Sequence, residues 1–306
     1  RQQIDTLPLN GRSLLNLAQL EPGVTVQLGN PAQFNAQFNV SVLGGPASHT
    51  AITIDGGNVR NPVEGGTGQN FSQEVVQEFQ LSSTNFDLST GITAFGAINI
   101  VTRGGSNDFH GAGYFYFRDH NMAAYPSLGR TTVTNDSFFA RRQGGFVLSG
   151  PVKKDKVHFF FNLEYTNQFG VYVVQPDLAS VARFATIAPA PYRGKQLSGR
   201  VDYRYSDKHS LFIRYSHDGN RNSGPFTAAI PTLPSNHVSN KNWVDQYLLG
   251  VTSVISPRVV NDLRFSYQYW QNRNIPAPCS GGANGFCVGA RGPEVFYLNS
   301  VNFALG

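Results

Sequence analysis

The residues of this chain best placed to do chemistry are charges that recur at every second position. From Gln196 to Tyr205 the even positions hold Gln196, Ser198, Arg200, Asp202 and Arg204, and the odd positions hold Leu197, Gly199, Val201, Tyr203 and Tyr205. Asp262 and Arg264 alternate in the same way with Leu263, Phe265, Tyr267 and Tyr269, and Glu164 with Phe161, Leu163 and Tyr165. Arg214 falls in a further segment of this kind, His209 to His217. Period two with one apolar and one polar face is a half-buried strand. On the polar face Glu164, Arg200, Asp202, Arg204, Arg214, Asp262 and Arg264 can ion-pair with a second unit across an interface. They can equally line a solvated wall, where an exposed pair is worth only ~0–1 kcal/mol.

Other chemistries find little support. His110, His120, His209 and His217 lie far apart in sequence, without the paired i, i+4 spacing of a metal site. No Gly-x-Ser-x-Gly elbow occurs, and Gly65-Gly66-Thr67-Gly68 lacks the Lys-Ser/Thr of a phosphate loop. Asp55, before Gly56-Gly57, reads first as a turn acid capping the backbone of the two glycines, and second as a ligand contact. Cys279 and Cys287 flank a Gly-rich stretch. In an oxidising compartment they read as a disulfide, since a metal would need ligands the neighbourhood does not supply. No enzyme activity, metal or cofactor is expected.

Seven strands are expected to carry these charges, over 109–118, 143–150, 157–169, 195–205, 209–218, 243–255 and 259–271. Their connections alternate between a few residues (Ser206 to Lys208, Ser256 to Arg258) and long loops over 119–142, 170–194, 219–242 and 272–293. Short turns on one rim and long loops on the other are the layout of an outer-membrane barrel. Only 14% of the 306 residues are charged, against a usual value of about 25%. Gly numbers 32 and aromatics make up 12%, a composition that suits twisted strands with aromatic girdles. No apolar run reaches the ~20 residues of a membrane helix, whereas a strand spans with ~9–11. The net charge of +5 is scattered rather than striped, so nucleic-acid binding is not expected.

The first hundred residues differ. Leu14, Leu15, Leu17, Ala18 and Leu20 have helical spacing ended by Pro22-Gly23, Ile52 and Ile54 alternate before the Asp55-Gly56-Gly57 turn, and Ala97 to Thr102 reads as a buried strand. The expected architecture is therefore a small α/β domain over 1–105, followed over 106–306 by the first ~7 strands of a transmembrane antiparallel β-barrel. Seven is odd, whereas bacterial single-chain barrels close with an even number. The chain also starts at Arg1 without a signal peptide, so it is expected to be a fragment.

Leu7-Pro8-Leu9-Asn10-Gly11-Arg12 with Leu20-Glu21-Pro22-Gly23-Val24 resembles the opening of the plug domain in TonB-dependent outer-membrane transporters, more closely the Oar-like subgroup. Ile52 to Gly57, then Val76 to Phe79 with Gly91 and Gly96 to Thr102, resemble that plug's strands and turns, and Gly104 to Gly111 its junction into the barrel. Phe86-Asp87-Leu88-Ser89-Thr90-Gly91 departs from the family's Glu-Phe-Gly run, and no TonB box is visible. The resemblance implies a plug that faces the periplasm and gates the lumen of a barrel held in outer-membrane lipid. It implies as partners the TonB energy-coupling complex and an extracellular ligand (siderophore, glycan or peptide) bound on plug loops such as Gln27 to Phe38 and Asn61 to Phe71. The alternatives are an Oar-like adhesion or structural protein of the same fold and a soluble β-rich binding module such as a lectin.

Overall fold

The computed structural model describes residues 12–28, 38–61, 66–83, 95–122, 137–174, 185–225 and 237–276. Two sets of strands divide it. The N-terminal set starts with a 3-10 helix, Leu14–Leu20, against a hairpin of β1 (Val24–Leu28) and β2 (Phe38–Val42). A mixed sheet follows: β3 (Ala51–Ile54), β4 (Gly57–Asn58), β5 (Val76–Ser82) and β6 (Ala97–Thr102), in the order β4-β3-β6-β5. β3 and β6 run parallel and the other pairs antiparallel.

The expected α/β character is corrected here: among the described residues the N-terminal set contains strands and 3-10 turns but no α-helix. The Leu14–Leu20 run is cut off by Glu21-Pro22 after seven residues. That is too short to hold an α-helix by propensity, so the tighter form is set by burying Leu14, Leu15, Leu17 and Ala18. The segment around Glu74, ambiguous in sequence, is a one-turn 3-10 helix (Gln73–Val75) leading straight into β5.

The second set is one antiparallel sheet of long strands: β7 (His110–Asp119), β8 (Phe139–Lys153), β9 (Val157–Val174), β11 (Tyr192–Ser206), β12 (His209–Pro225), β13 (His237–Ser256) and β14 (Val259–Pro276). They pair in chain order, with a short β10 (Thr186–Pro189) on the far end of β9. Tight turns join β8 to β9, β11 to β12 and β13 to β14, each beside a register shift. Among the described residues no helix is long and apolar enough to cross a membrane, which says nothing of strands.

The strands outrun the expected ones, and this corrects the expected loops. Part of each expected loop is strand, since β8 starts at Phe139, β9 runs to Val174, β12 to Pro225, β13 starts at His237 and β14 runs to Pro276. In Arg221-Asn222-Ser223 both faces are polar, so the ladder continues where hydrophobic alternation has stopped. Residues 123–136, 175–184, 226–236 and 277–293 of those loops, Cys279 and Cys287 among them, and also Gly91, lie outside the described residues.

The two faces of this sheet differ. Val201, Ile213, Leu249 and Phe265 form one register row of exposed apolar side chains on the outer face. On β7, Phe115 and Phe117 point outward and Tyr114 inward, which fixes a phase the sequence left open. The inner face packs on the N-terminal set, and the shared core includes Ile54, Ile98, Ile100 and Phe71 together with Val147 and Phe160 of the long strands. Phe160, the one apolar residue out of phase on its strand, is thus a buried contact at 2% exposure. Val201→Arg, in the middle of the outer row, is expected to lower the unfolding free energy of the full-length protein in lipid vesicles by about 2–4 kcal/mol. A denaturant titration reads this, and a cost under ~0.5 kcal/mol would take Val201 off a lipid-covered face.

Candidate functional site

The site grows from one residue in an unusual backbone position. Asp55 and Gly56 form the turn between β3 and β4, with φ of 50° and 84°. Positive φ at both central residues is the mark of a type I′ hairpin, a shape that Asp tolerates and Gly adopts freely. The turn thrusts the Asp55 side chain away from its own hairpin. The expected cap on Gly56-Gly57 is therefore corrected: the carboxylate accepts instead from the backbone N–H of Thr102 at 2.9 Å and from its hydroxyl at 2.7 Å.

Three arginines of the long sheet converge on this acid. Arg200 Nη1 donates to Asp55 Oδ1 at 3.4 Å, and Arg214 Nε ion-pairs with Oδ2 at 3.4 Å. Arg264 donates to the Asp55 backbone carbonyl at 2.6 Å. Both partners of the Arg214 pair are buried, with side chains 1% and 2% exposed. Arg214 also donates to the Ile54 carbonyl and to Gln246, and lies over the Phe71 ring. Arg200 is held bidentate by Asp202, and Phe212 is stacked by the guanidinium groups of both Arg200 and Arg264. The two glycines allow the close approach: a Cβ on Gly56 would meet Arg264 Cδ at 2.9 Å, and one on Gly57 would meet Ser266 Oγ at 2.9 Å.

A second group lies farther along the same inner face. Glu164 accepts from Ser72 at 2.7 Å, from Tyr114 at 2.8 Å and from Gln143 at 2.7 Å. Asp218 accepts from the backbone N–H of Asn70 at 2.8 Å. Both acids are buried and both hold the N-terminal set through Asn70 and Ser72. Arg12 pairs with Glu74 and stacks on Tyr116 of β7, tying the first described residues to the same wall.

Of the charges read from sequence, Glu164, Arg200, Arg214 and Arg264 reach the N-terminal set, and Asp202 and Asp262 brace Arg200 and Arg264. Arg204 does not reach it; it pairs with Asp207 beside the turn, both exposed. Gly96 takes φ of 122° where β6 begins. Asp218 and Phe212 were missed. Asp218 had a signal, since it continues the even-numbered polar phase through Arg214 and Ser216. Between the two sets, a cavity of about 650 Å³ is lined by Gln69, Arg141, Gln168 and Tyr192 among others.

Asp55→Ala is expected to cost about 3–5 kcal/mol, because it leaves the Arg214 cation buried without its counter-charge. Adding Arg214→Met to Asp55→Ala should recover most of that loss. Proteolysis of the N-terminal set and denaturant unfolding of the full-length protein read the cycle, and additive losses would break the pairing.

A family model described as an outer membrane beta barrel domain matches residues 101–181 and 169–304. The chain is 29% identical to the TonB-dependent transporter Oar of Myxococcus xanthus across 49% of this chain and 14% of that protein. It is 25% identical to the ferrienterobactin receptor of Escherichia coli K12 across 90% of this chain and 38% of that protein. It therefore spans well under half the length of either curated relative. Among solved structures, the outer membrane transporter YddB of Escherichia coli matches with a TM-score of 0.67 at 12% identity, over 87% of this chain and 38% of that one. The ferric enterobactin receptor of Pseudomonas aeruginosa matches with a TM-score of 0.61 at 15% identity, over 88% and 39%. These relatives are transporters and receptors rather than enzymes, and the two solved structures share the fold. Matched by that model over most of its length and built as an antiparallel sheet of the same kind, the chain belongs to the outer membrane beta barrel domain family, with TonB-dependent transporters among its relatives.

Proposed function

We infer that residues 1–105 are a plug and residues 106–306 the first strands of a barrel wall, in a transporter that moves a substrate across the outer membrane when TonB pulls on the plug. The observation that carries this reading is the Asp55 junction. The N-terminal set meets the inner face of the long sheet through Asp55, Ser72, Asn70 and their charged partners, around a smaller apolar contact at Val147 and Phe160. An interface built largely from ion pairs and hydrogen bonds separates at lower cost than an apolar core, because water replaces each partner. A plug that has to leave and return needs that property.

In this reading the tight turns face the periplasm together with the plug's approach side, and the long connections face outward. The ligand binds on the outward side of the plug and on those connections. Two of the relatives and neighbours are named as receptors for ferric enterobactin, which makes a ferric siderophore the first substrate to test, with glycans and peptides after it. The relative called Oar is itself named a TonB-dependent transporter, so no observation favours a purely adhesive role.

The test is uptake by cells that make the full-length protein, with and without TonB. Accumulation of a labelled ferric siderophore, glycan or peptide that requires both the protein and TonB is the expected result. Uptake that continues without TonB, or no accumulation from any of the three classes, would end the reading. Disabling the junction with Asp55→Ala is expected to raise passive leakage of a small antibiotic into the cell while the barrel still assembles.

A further inference from the structure

The cavity between the two sets meets the inner face of the wall at the strand ends away from the tight turns. Two register rows run through that part of the wall. In the first, Arg141 on β8 faces Gln168 on β9, Gln168 faces Tyr192 on β11, and Tyr192 faces Asn222 on β12. In the second, Gln143 on β8 faces Thr166 on β9, which faces Gly194 on β11. Both rows continue in asparagine: Asn222, Asn240 and Asn274 in the first, Asn220, Asn242 and Asn272 in the second. From the N-terminal set, Gln69 reaches the same cavity.

Gln69 is buried at 2% exposure, and neither its amide oxygen nor its amide nitrogen has a hydrogen-bond partner among the described residues. A buried amide in that state is costly, and native proteins supply nearly all such groups with a partner. Tyr192 lies down along the wall. A Cβ built on Gly194 would meet its hydroxyl at 2.9 Å and two of its ring carbons at 3.2 and 3.3 Å. Glycine at 194 thus makes room for the ring, which gives the cavity an aromatic surface held on a strand. Charge is scarce there. Among the described residues the charged ones on the lining are Arg12, Arg141 and Glu164. Arg12 is committed to Glu74 at 2.7 Å, and Glu164 accepts from Ser72, Tyr114 and Gln143.

A ligand suited to this lining is close to neutral, offers many groups that both donate and accept, and carries apolar faces for the ring. A polyanionic iron chelate fails the first condition, because its charge would be desolvated without several cations to answer it. A sugar chain meets all three. Its hydroxyls donate and accept as the amides do, and they reproduce the hydrogen bonds of the water they displace. The C–H face of a pyranose ring is apolar and stacks on an aromatic side chain. Adjacent strands stand ~4.8 Å apart, so amides along a register row repeat at close to the spacing of successive sugar residues. At about 650 Å³ the cavity is also of a size that small ligands occupy. We propose that it binds a neutral oligosaccharide, with Gln69 of the plug and Gln168 and Asn222 of the wall holding hydroxyls and Tyr192 stacking on one ring. The inference rests on the transporter reading above and narrows its substrate class.

The test is calorimetric titration of the purified full-length protein, in a detergent without a sugar headgroup. The probes are maltohexaose, cellohexaose, mannohexaose and xylohexaose, with ferric enterobactin and hexaglycine for the competing classes. At least one hexasaccharide is expected to bind, and more tightly than either competitor. Tyr192→Ala should weaken that binding about tenfold, and Tyr192→Phe should leave it within about twofold. Gln69→Ala should weaken it about fivefold without lowering the unfolding midpoint, since its amide makes no hydrogen bond within the described residues. Should Tyr192→Ala fail to assemble, Gln69→Ala and Gln168→Ala, each with a loss of about fivefold, decide the matter. Binding of no hexasaccharide, tighter binding of ferric enterobactin or hexaglycine, or unchanged affinity in these alanine variants overturns the proposal. Arg204→Gln, at the tight-turn rim, should change nothing, and equal weakening there would overturn it as well. Neither cells nor TonB enter the measurement. Sugar binding without TonB-dependent uptake therefore ends the transporter reading alone, and tighter binding of ferric enterobactin ends this inference alone.

Discussion

Arg200 and Arg214 face each other across two neighbouring strands on the inner side of the sheet. Two guanidinium groups so placed repel, and burial of Arg214 raises the cost of its charge. Asp55 lies between them, and much else in the molecule serves to put it there. The I′ turn aims the side chain, Gly56 and Gly57 let the hairpin tip come within van der Waals distance of Arg264 and Ser266, and Thr102 at the end of β6 fixes both carboxylate oxygens. At this junction the long sheet supplies the cations and the N-terminal set supplies the acid between them. Neither surface is electrostatically complete alone.

A buried ion pair of this kind is weak evidence for stability, because desolvation offsets most of its attraction. Its better-supported use is to fix one arrangement among several, since any shift of the inserted unit leaves charges unmatched. The apolar contact through Val147 and Phe160 supplies adhesion without much direction. The polar contacts at Asp55, Ser72 and Asn70 supply direction and can be exchanged for water. The division suits a unit that is seated in one pose but not welded to its wall.

The strands of the wall were legible because one of their faces meets an apolar surrounding. Gln196 to Tyr205 and Leu263 to Tyr269 alternate without a fault, and their phase alone assigned Arg200 and Arg264 to the inner side. Past the apolar band, both faces of β12 and β13 carry polar side chains, as in Arg221-Asn222-Ser223 and Ser239 to Asn242, so the alternation fades while the hydrogen-bonded ladder goes on. The N-terminal set was read less well. Leu14–Leu20 carries a helical pattern, but a seven-residue run takes its form from what it packs on. Asp55 was visible as a turn residue, and nothing local could say that its partners lie 145 and 209 positions away, in Arg200 and Arg264. Phe160 breaks the period of its strand, and that irregularity marks a buried contact.

The anchoring contacts sit on two levels of the inner face. Phe160, Arg200 and Arg214 share one register row, and Glu164, Gln196 and Asp218 share another four residues along, about 13 Å away at ~3.3 Å per residue. Load applied at one rim reaches the near level before the far one, so the attachments give way in sequence, as in peeling tape, and not all at once, as in shearing a glued joint. The peak tension is then set by one level at a time, and a modest sustained tug can do what a simultaneous rupture of every bond would put out of reach.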